Sequence, residues 1–190
     1  MDLLVVSSNS SYIDPVVEAA GCSGCKVVDA IEVAELANKR TPNREFDVLV
    51  YVSHEIGKPD LTLMHELGNS FPKPILVLTE DTRESSINAA MRAGASSYVA
   101  GCSDLERLRS ICQVASARFA QQRALLDELE STRNALKERK QIERAKGIIM
   151  KQRHIDEDEA YKAIRKLAMD TNTRVHDVAK QIINAAELLL

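Results

Sequence analysis

The sequence predicts two architectures in one chain: a parallel, doubly wound α/β domain over residues 1–103, and an all-helical region after it. Three observations carry this. Five short apolar runs alternate with amphipathic segments as far as Ala100. Gly and Pro are then absent between Gly101 and Gly147. In that stretch a heptad repeat sets in, and beyond it the apolar spacing becomes that of packed helices.

The first strand is Leu3-Leu4-Val5-Val6, which ends in Ser7-Ser8-Asn9-Ser10. Ile13–Ala20 is amphipathic and stops at Gly21, and Lys26-Val27-Val28 reads as a second strand. Ile31, Ala34, Leu36 and Ala37 then form a helix face that ends before Thr41-Pro42-Asn43. Val48-Leu49-Val50-Tyr51-Val52 is apolar on both faces, as a central parallel strand requires. A helix around Leu61–Leu67 follows, and Pro74 introduces a strand at Ile75–Leu78. Glu84–Ala93 is helical and ends at Gly94, and Ser97–Ala100 is the fifth strand.

From Asp104 the pattern changes. Leu105, Leu108, Cys112, Ala115, Phe119, Gln122, Leu126, Leu129, Arg133 and Leu136 follow a 3-4-3-4 spacing. Such a seam predicts a coiled-coil helix over 104–141 that pairs with a second copy. The expected dimer contacts are Leu105, Leu108, Cys112, Phe119, Leu126, Leu129 and Leu136. The alternative, packing against the chain's own sheet, fits the first turns near Leu105–Cys112. Residues 142–190 read as a three-helix module. The long helix continues through Ile142, Ala145, Ile148 and Ile149 to about Gln152, and His154-Ile155 breaks it. Asp156 with Glu159 is a capping-box-like start to a helix that buries Ala160, Ile164, Leu167 and Ala168. Asp170–Thr173 is a turn with Thr173 as N-cap, and the last helix buries Val175, Val178, Ala179, Ile182, Ile183 and Ala186.

Charge is distributed unevenly. The net charge of −3 over 190 residues divides into 8 Lys and Arg against 14 Asp and Glu over residues 1–103, and 17 against 14 over residues 104–190. Seven basic residues (Lys137, Arg139, Lys140, Arg144, Lys146, Lys151, Arg153) crowd residues 137–153, opposed there by Glu138 and Glu143. A basic block in an acidic chain points to a local polyanion site. The chain has no Trp, three Phe and four Tyr, which argues against a base-stacking sheet. Cys22-Ser-Gly-Cys25 precedes a strand instead of opening a helix, and Cys102 and Cys112 do not supply a zinc pair. These read as reduced thiols of a cytoplasmic protein. No cofactor or metal is called for, and no signal peptide or membrane span is present. No convergent carboxylates, nucleophile–base pair or phosphate-cradling Gly loop supports an enzyme. Asp156-Glu157-Asp158-Glu159 is a helix start favoured by the macrodipole.

The strand rhythm, Thr79 after the fourth strand and Ala93-Gly94-Ala95-Ser96-Ser97-Tyr98-Val99 resemble a response-regulator receiver, a flavodoxin-like (βα)5 fold. Its phosphoryl chemistry does not match. Acidic residues that would hold a cation are replaced by Ser7-Ser8-Asn9, the nucleophilic Asp by Val52 or Ser53, and the partner Lys by Gly101 or its neighbour. Residues 1–103 are therefore expected to be a pseudo-receiver that works as a docking surface, with Thr79 a remnant.

Ile142-Glu143-Arg144-Ala145-Lys146-Gly147-Ile148-Ile149-Met150, with Glu159-Ala160-Tyr161, Ile164–Met169 and Asp177-Val178-Ala179, resembles the ANTAR domain of transcription antitermination regulators, most closely those of nitrate/nitrite assimilation. His154 departs from a position where that family often has Gly. The resemblance implies binding to tandem hairpin RNA in a leader mRNA, which keeps a terminator from forming. It also implies a homodimer and a sequestering sensor protein. The residues expected to meet RNA are Arg144, Ala145, Lys146, Gly147, Met150, Lys151, Arg153, Tyr161 and Arg165, foremost Lys146 and Arg165. Lys151 and Arg153 equally suit a solvated face, Met150 a core, and Tyr161 a half-buried core position. Gly147 inside a helix costs about 1 kcal/mol relative to Ala, which a close approach of RNA or of another helix would explain. Two rivals stand. One is a DNA-binding helix-turn-helix output reading through Arg174, His176, Lys180, Gln181 and Asn184. The other is a coiled-coil adaptor that touches no nucleic acid.

Overall fold

The computed structural model describes residues 1–37, 45–101 and 106–188. Cys102, Leu105 and the turn at Thr41-Pro42-Asn43 lie outside them. The chain divides into two compact units, Met1–Arg123 and Ala124–Leu190.

The first unit is built on five parallel strands: β1 (Asp2–Ser7), β2 (Lys26–Glu32), β3 (Val48–Ser53), β4 (Ile75–Thr79) and β5 (Ser97–Ala100). Their spatial order is β2-β1-β3-β4-β5, the order of the flavodoxin-like sheet. Helices α1 (Ile13–Cys22), α2 (Val33–Ala37), α3 (Lys58–Ser70) and α4 (Glu84–Arg92) connect them. Alternate strand residues feed two cores. Leu4, Val6, Leu49, Tyr51, Ile75 and Val77 point into one, with Met64 and Leu67 of α3 and Ala90 of α4. Leu3, Val5, Val48, Val50, Leu76 and Leu78 point into the other, with Val16 and Ala20 of α1. Burial on both faces explains why these strands read as continuous apolar runs.

The second core also takes Leu108 and Cys112, in the first turns of α5 (Leu108–Arg153). Both are fully buried. Their expected place in a dimer seam is corrected: the sheet needs a cover on that face, and these turns supply it. Ile31 is corrected too. It is a fully buried residue within β2, because β2 runs on to Glu32 and leaves α2 only five residues. Cys25 is buried and Cys22 exposed, and both are free thiols, as is Cys112. Burial, with Cys25 close by, pushes the Cys112 thiol up to about 12.

The second unit is helical. The remainder of α5 packs with α6 (Glu157–Asp170) and α7 (Val175–Leu188). Its core is Ala145, Ile164, Ala168, Val178, Ala179 and Ile183. Asp156 caps α6 as the sequence indicates, its carboxylate accepting from the Glu159 backbone N–H at 2.8 Å. Leu167, expected inside, is exposed. Thr173 does not begin α7: that helix starts at Val175 and uses the Arg174 carbonyl, while the Thr173 hydroxyl lies 2.8 Å from that of Thr171. Among the described residues no helix is long and apolar enough to cross a membrane.

Candidate nucleic-acid interface

The carboxyl edge of the sheet is where a receiver would do its chemistry. Here it is a set of hydroxyls turned onto their own backbone. Ser7 donates to the Asn9 carbonyl at 2.7 Å, and Ser53 to the Glu55 carbonyl at 2.7 Å. Ser8 donates to Ser53 Oγ at 3.2 Å. Thr79 donates to the His54 carbonyl at 2.8 Å and accepts from the Asp81 N–H at 3.1 Å. Val52 and Ser53 close β3, and Ser53 pairs in register with Thr79. Gly101 holds φ at +76°, a conformation a lysine would rarely adopt. Asp81 is buried beside this edge. Hydrogen bonds from Arg83 hold its carboxyl well below the usual carboxylate range, with a contribution from Ser86. The Asp81 backbone carbonyl accepts from the Tyr98 hydroxyl at 2.7 Å. These bonds tie the loop after β4 to β3 and β5.

The helical unit presents the opposite situation, because much of its charge faces outward. Arg144, Lys151 and Arg153 on α5 are exposed, as are Tyr161 and Arg165 on α6. Arg144 makes an exposed ion pair with Glu187 of α7 at 2.8 Å. Tyr161 and Arg165 are four residues apart and so share one face of α6, on which Tyr161 is 42% exposed. That leaves its ring free to stack. Gly147 faces open space, and a Cβ there would meet nothing within 4 Å. Among the described residues no side chain or backbone comes close enough to require a glycine at this position. Met150 is half-buried on the same helix.

Two of the nine expected contacts lie elsewhere. Ala145 is fully buried and packs in the three-helix core. Lys146 is only 8% exposed, and its Nζ lies 2.7 Å from Glu143 and 2.6 Å from Glu157. The hydrogen bonds it donates to Glu143 and then Glu157 hold its ammonium above the ordinary lysine range. Lys146 thus ties α5 to the first turn of α6, a role its charge alone could not reveal.

The remaining residues do not all converge. Arg153 lines a cavity of about 430 Å³ with Ile149, Lys166 and Leu167. Arg165 lines a separate depression with Met169, Asn172 and Arg174. Lys166 and Leu167 were missed by the sequence reading, Leu167 because helical periodicity put it inside.

His154 ends α5 with φ at +52°, in the left-handed region. This is the conformation that favours glycine at a helix end, so the departure from the family pattern falls where the backbone is most demanding.

A family model described as "ANTAR domain" matches residues 130–183. The chain is 30% identical over 142 residues to the transcriptional regulatory protein PdtaR of Mycobacterium tuberculosis, a match covering 68% of this chain and 69% of that protein. It is 39% identical over 64 residues to the nitrate regulatory protein of Klebsiella oxytoca, covering 34% of this chain but only 16% of that one. In fold, the signal receiver domain of a modulated diguanylate cyclase from Desulfovibrio desulfuricans G20 superposes with a TM-score of 0.53 at 16% identity, covering 64% of this chain and 97% of that one. A receiver-like sheet, a long helix and a C-terminal ANTAR match in one chain, with a relative matched over more than two thirds of its length, lead to one conclusion: the chain belongs to the ANTAR-domain transcriptional regulators.

Proposed function

We propose that this regulator is an RNA-binding antiterminator whose helical unit grips hairpins of a leader transcript and so prevents a terminator from forming. The observation that carries this is the outward face of α5 and α6. There Lys151, Arg153, Arg165 and Tyr161 are each exposed and Gly147 is open, all within the segment that matches the family model, with Arg153 and Arg165 lining separate depressions. Cations at this face gain affinity by counterion release, the aromatic ring offers a stacking surface to an unpaired base, and the glycine admits a backbone at close range. In this reading Lys146 and Ala145 build the face without touching RNA, and Arg144 contributes at its edge.

The helix-turn-helix alternative is less well supported. His176, one of its intended base readers, has a side chain only 21% exposed, with Nε2 3.2 Å from Asp177. Titrating the full chain with a two-hairpin RNA and with duplex DNA of equal length separates the readings. Preference for RNA is expected, and equal or better binding to duplex DNA contradicts it.

Control falls to a protein partner in this account. The hydroxyls at the sheet edge are engaged with backbone carbonyls, and the acidic first unit offers a docking surface. The signal is nitrate or nitrite, by likeness to the Klebsiella relative. Incubation with a small phosphodonor and Mg²⁺ should leave the first unit unmodified, whereas a stable acyl-phosphate there would refute control by docking alone.

A further inference from the structure

We infer that the groove between α5 and α7 is a second phosphate site, one that tracks the stem of the hairpin whose loop meets the Gly147–Lys151 region. The inference rests on the hairpin-binding reading above. The groove is lined by Arg133, Lys137, Lys140 and Arg144 of α5 and Lys180 of α7, with Glu187 the one acidic residue among its lining. Five cations therefore face one carboxylate, and that carboxylate is already paired with Arg144 at 2.8 Å. All five are exposed.

Their spacing decides the class of ligand. Positions 133, 137, 140 and 144 repeat at 4-3-4, which is one face of a helix, and Gly147 and Lys151 continue the same face. At the α-helical rise, Arg133 to Lys151 spans about 27 Å with a charge every 5 Å or so along most of it. A line of charge suits a linear polyanion better than a point anion. Gly147, where a Cβ would meet nothing, leaves that line open between Arg144 and Lys151.

Like charge disfavours self-pairing through the basic part of this face, from Arg133 onward. The face is apolar at Leu126 and Leu129, both exposed, and becomes basic from Arg133 onward with Leu136 at the transition. An isologous contact through the basic part would set two identical rows of cations against each other. Whatever covers this stretch has to carry negative charge, and a nucleic-acid backbone running off the hairpin loop is continuous with the site already proposed.

The test uses the full chain and two RNA hairpins with the same loop, one with a short stem and one with a long stem. The native protein should bind the long-stem hairpin about tenfold more tightly, with a steeper salt dependence. Lys137→Gln, Lys140→Gln and Lys180→Gln combined should erase that advantage and lower the salt slope on the long stem by about 2. Short-stem affinity and melting temperature should stay as in the native protein. Arg165→Ala serves as the control and should weaken both hairpins alike. Absence of a long-stem preference in the native protein would overturn the inference while leaving loop binding intact. So would equal weakening of both hairpins by the triple variant, or a changed sedimentation coefficient with unchanged RNA binding. If the native protein binds neither hairpin, the RNA reading itself fails and the groove site falls with it.

Discussion

The carboxyl edge of the sheet and the outer face of α5 and α6 are both rich in polar side chains, yet they dispose of them in opposite ways. At the sheet edge Ser7, Ser53 and Thr79 donate to nearby carbonyls, and Asp81 is clamped by Arg83 at 2.7 Å. On the helical unit Lys151, Arg153 and Arg165 stand in solvent. Groups whose hydrogen bonds are satisfied within the fold hold structure, whereas groups left in water are available to a ligand. Lys146 shows that the rule cuts within one element. It lies on the same helix as Lys151, but it is held between Glu143 and Glu157 and behaves like the sheet-edge residues.

Substitutions can break this contrast, and the largest effect belongs to the core. Leu108→Ala should cost about 2–5 kcal/mol in denaturant unfolding and leave the association state alone, because Leu108 is wholly buried against the sheet. Leu126→Asn with Leu129→Asn should do the reverse. These residues are 52% and 46% exposed, so stability should move by only about 0.5 kcal/mol each. The heptad seam predicts that sedimentation finds the native chain paired and this variant single. Loss of the dimer in Leu108→Ala with intact stability would restore the seam reading for that residue.

Next in size, Arg165→Ala should weaken hairpin binding about fivefold and lower the salt slope by roughly 1. Lys146→Ala should instead lower the melting temperature of the helical unit and leave the salt slope of hairpin binding unchanged. A reduced slope in that variant would make Lys146 a phosphate contact after all.

The two ion pairs should also respond to opposite ends of the pH scale. The Lys146 ammonium sits above its ordinary range in the folded chain, so its stabilisation is complete at neutral pH and is lost as pH rises through the raised value. The Asp81 carboxyl sits below its ordinary range, so its contribution is present at neutral pH and is lost as pH falls through the lowered value. Hydrogen exchange followed across pH should loosen the loop after β4 in acid and the α5–α6 junction in alkali. The smallest effect is expected at the helix end. His154→Gly should raise stability by about 1 kcal/mol at most, since it removes a side chain from the left-handed region at φ +52°.

Much of the fold was legible because its signals are local. β3 and β5 follow directly from their apolar runs, and the Asp156 cap from a three-residue spacing. What was not legible depended on distant partners. Ile31 fits a helical spacing, but pairing of β2 with β1 decides its place. Leu108 and Cys112 fit a heptad equally well whether a second copy or the sheet covers them. The site followed the same division. Lys151 and Arg153, in the basic block of residues 137–153, are exposed, as is Arg165 outside it. Burial of Lys146 did not follow from that block, because Glu157 reaches it only through the packing of α6 on α5. Lys180 was assigned to a DNA-reading helix, and its position in the basic groove emerged only once α7 lay beside α5.

The most direct test of the central claim is a fluorescence titration of the full chain with a labelled two-hairpin RNA, repeated with Lys151→Ala and Arg165→Ala combined, at several salt concentrations. The account predicts tight, salt-dependent binding that the double variant weakens by more than tenfold, with a salt slope lower by about 2 and an unchanged melting temperature. Native-like affinity and slope in the double variant would contradict it.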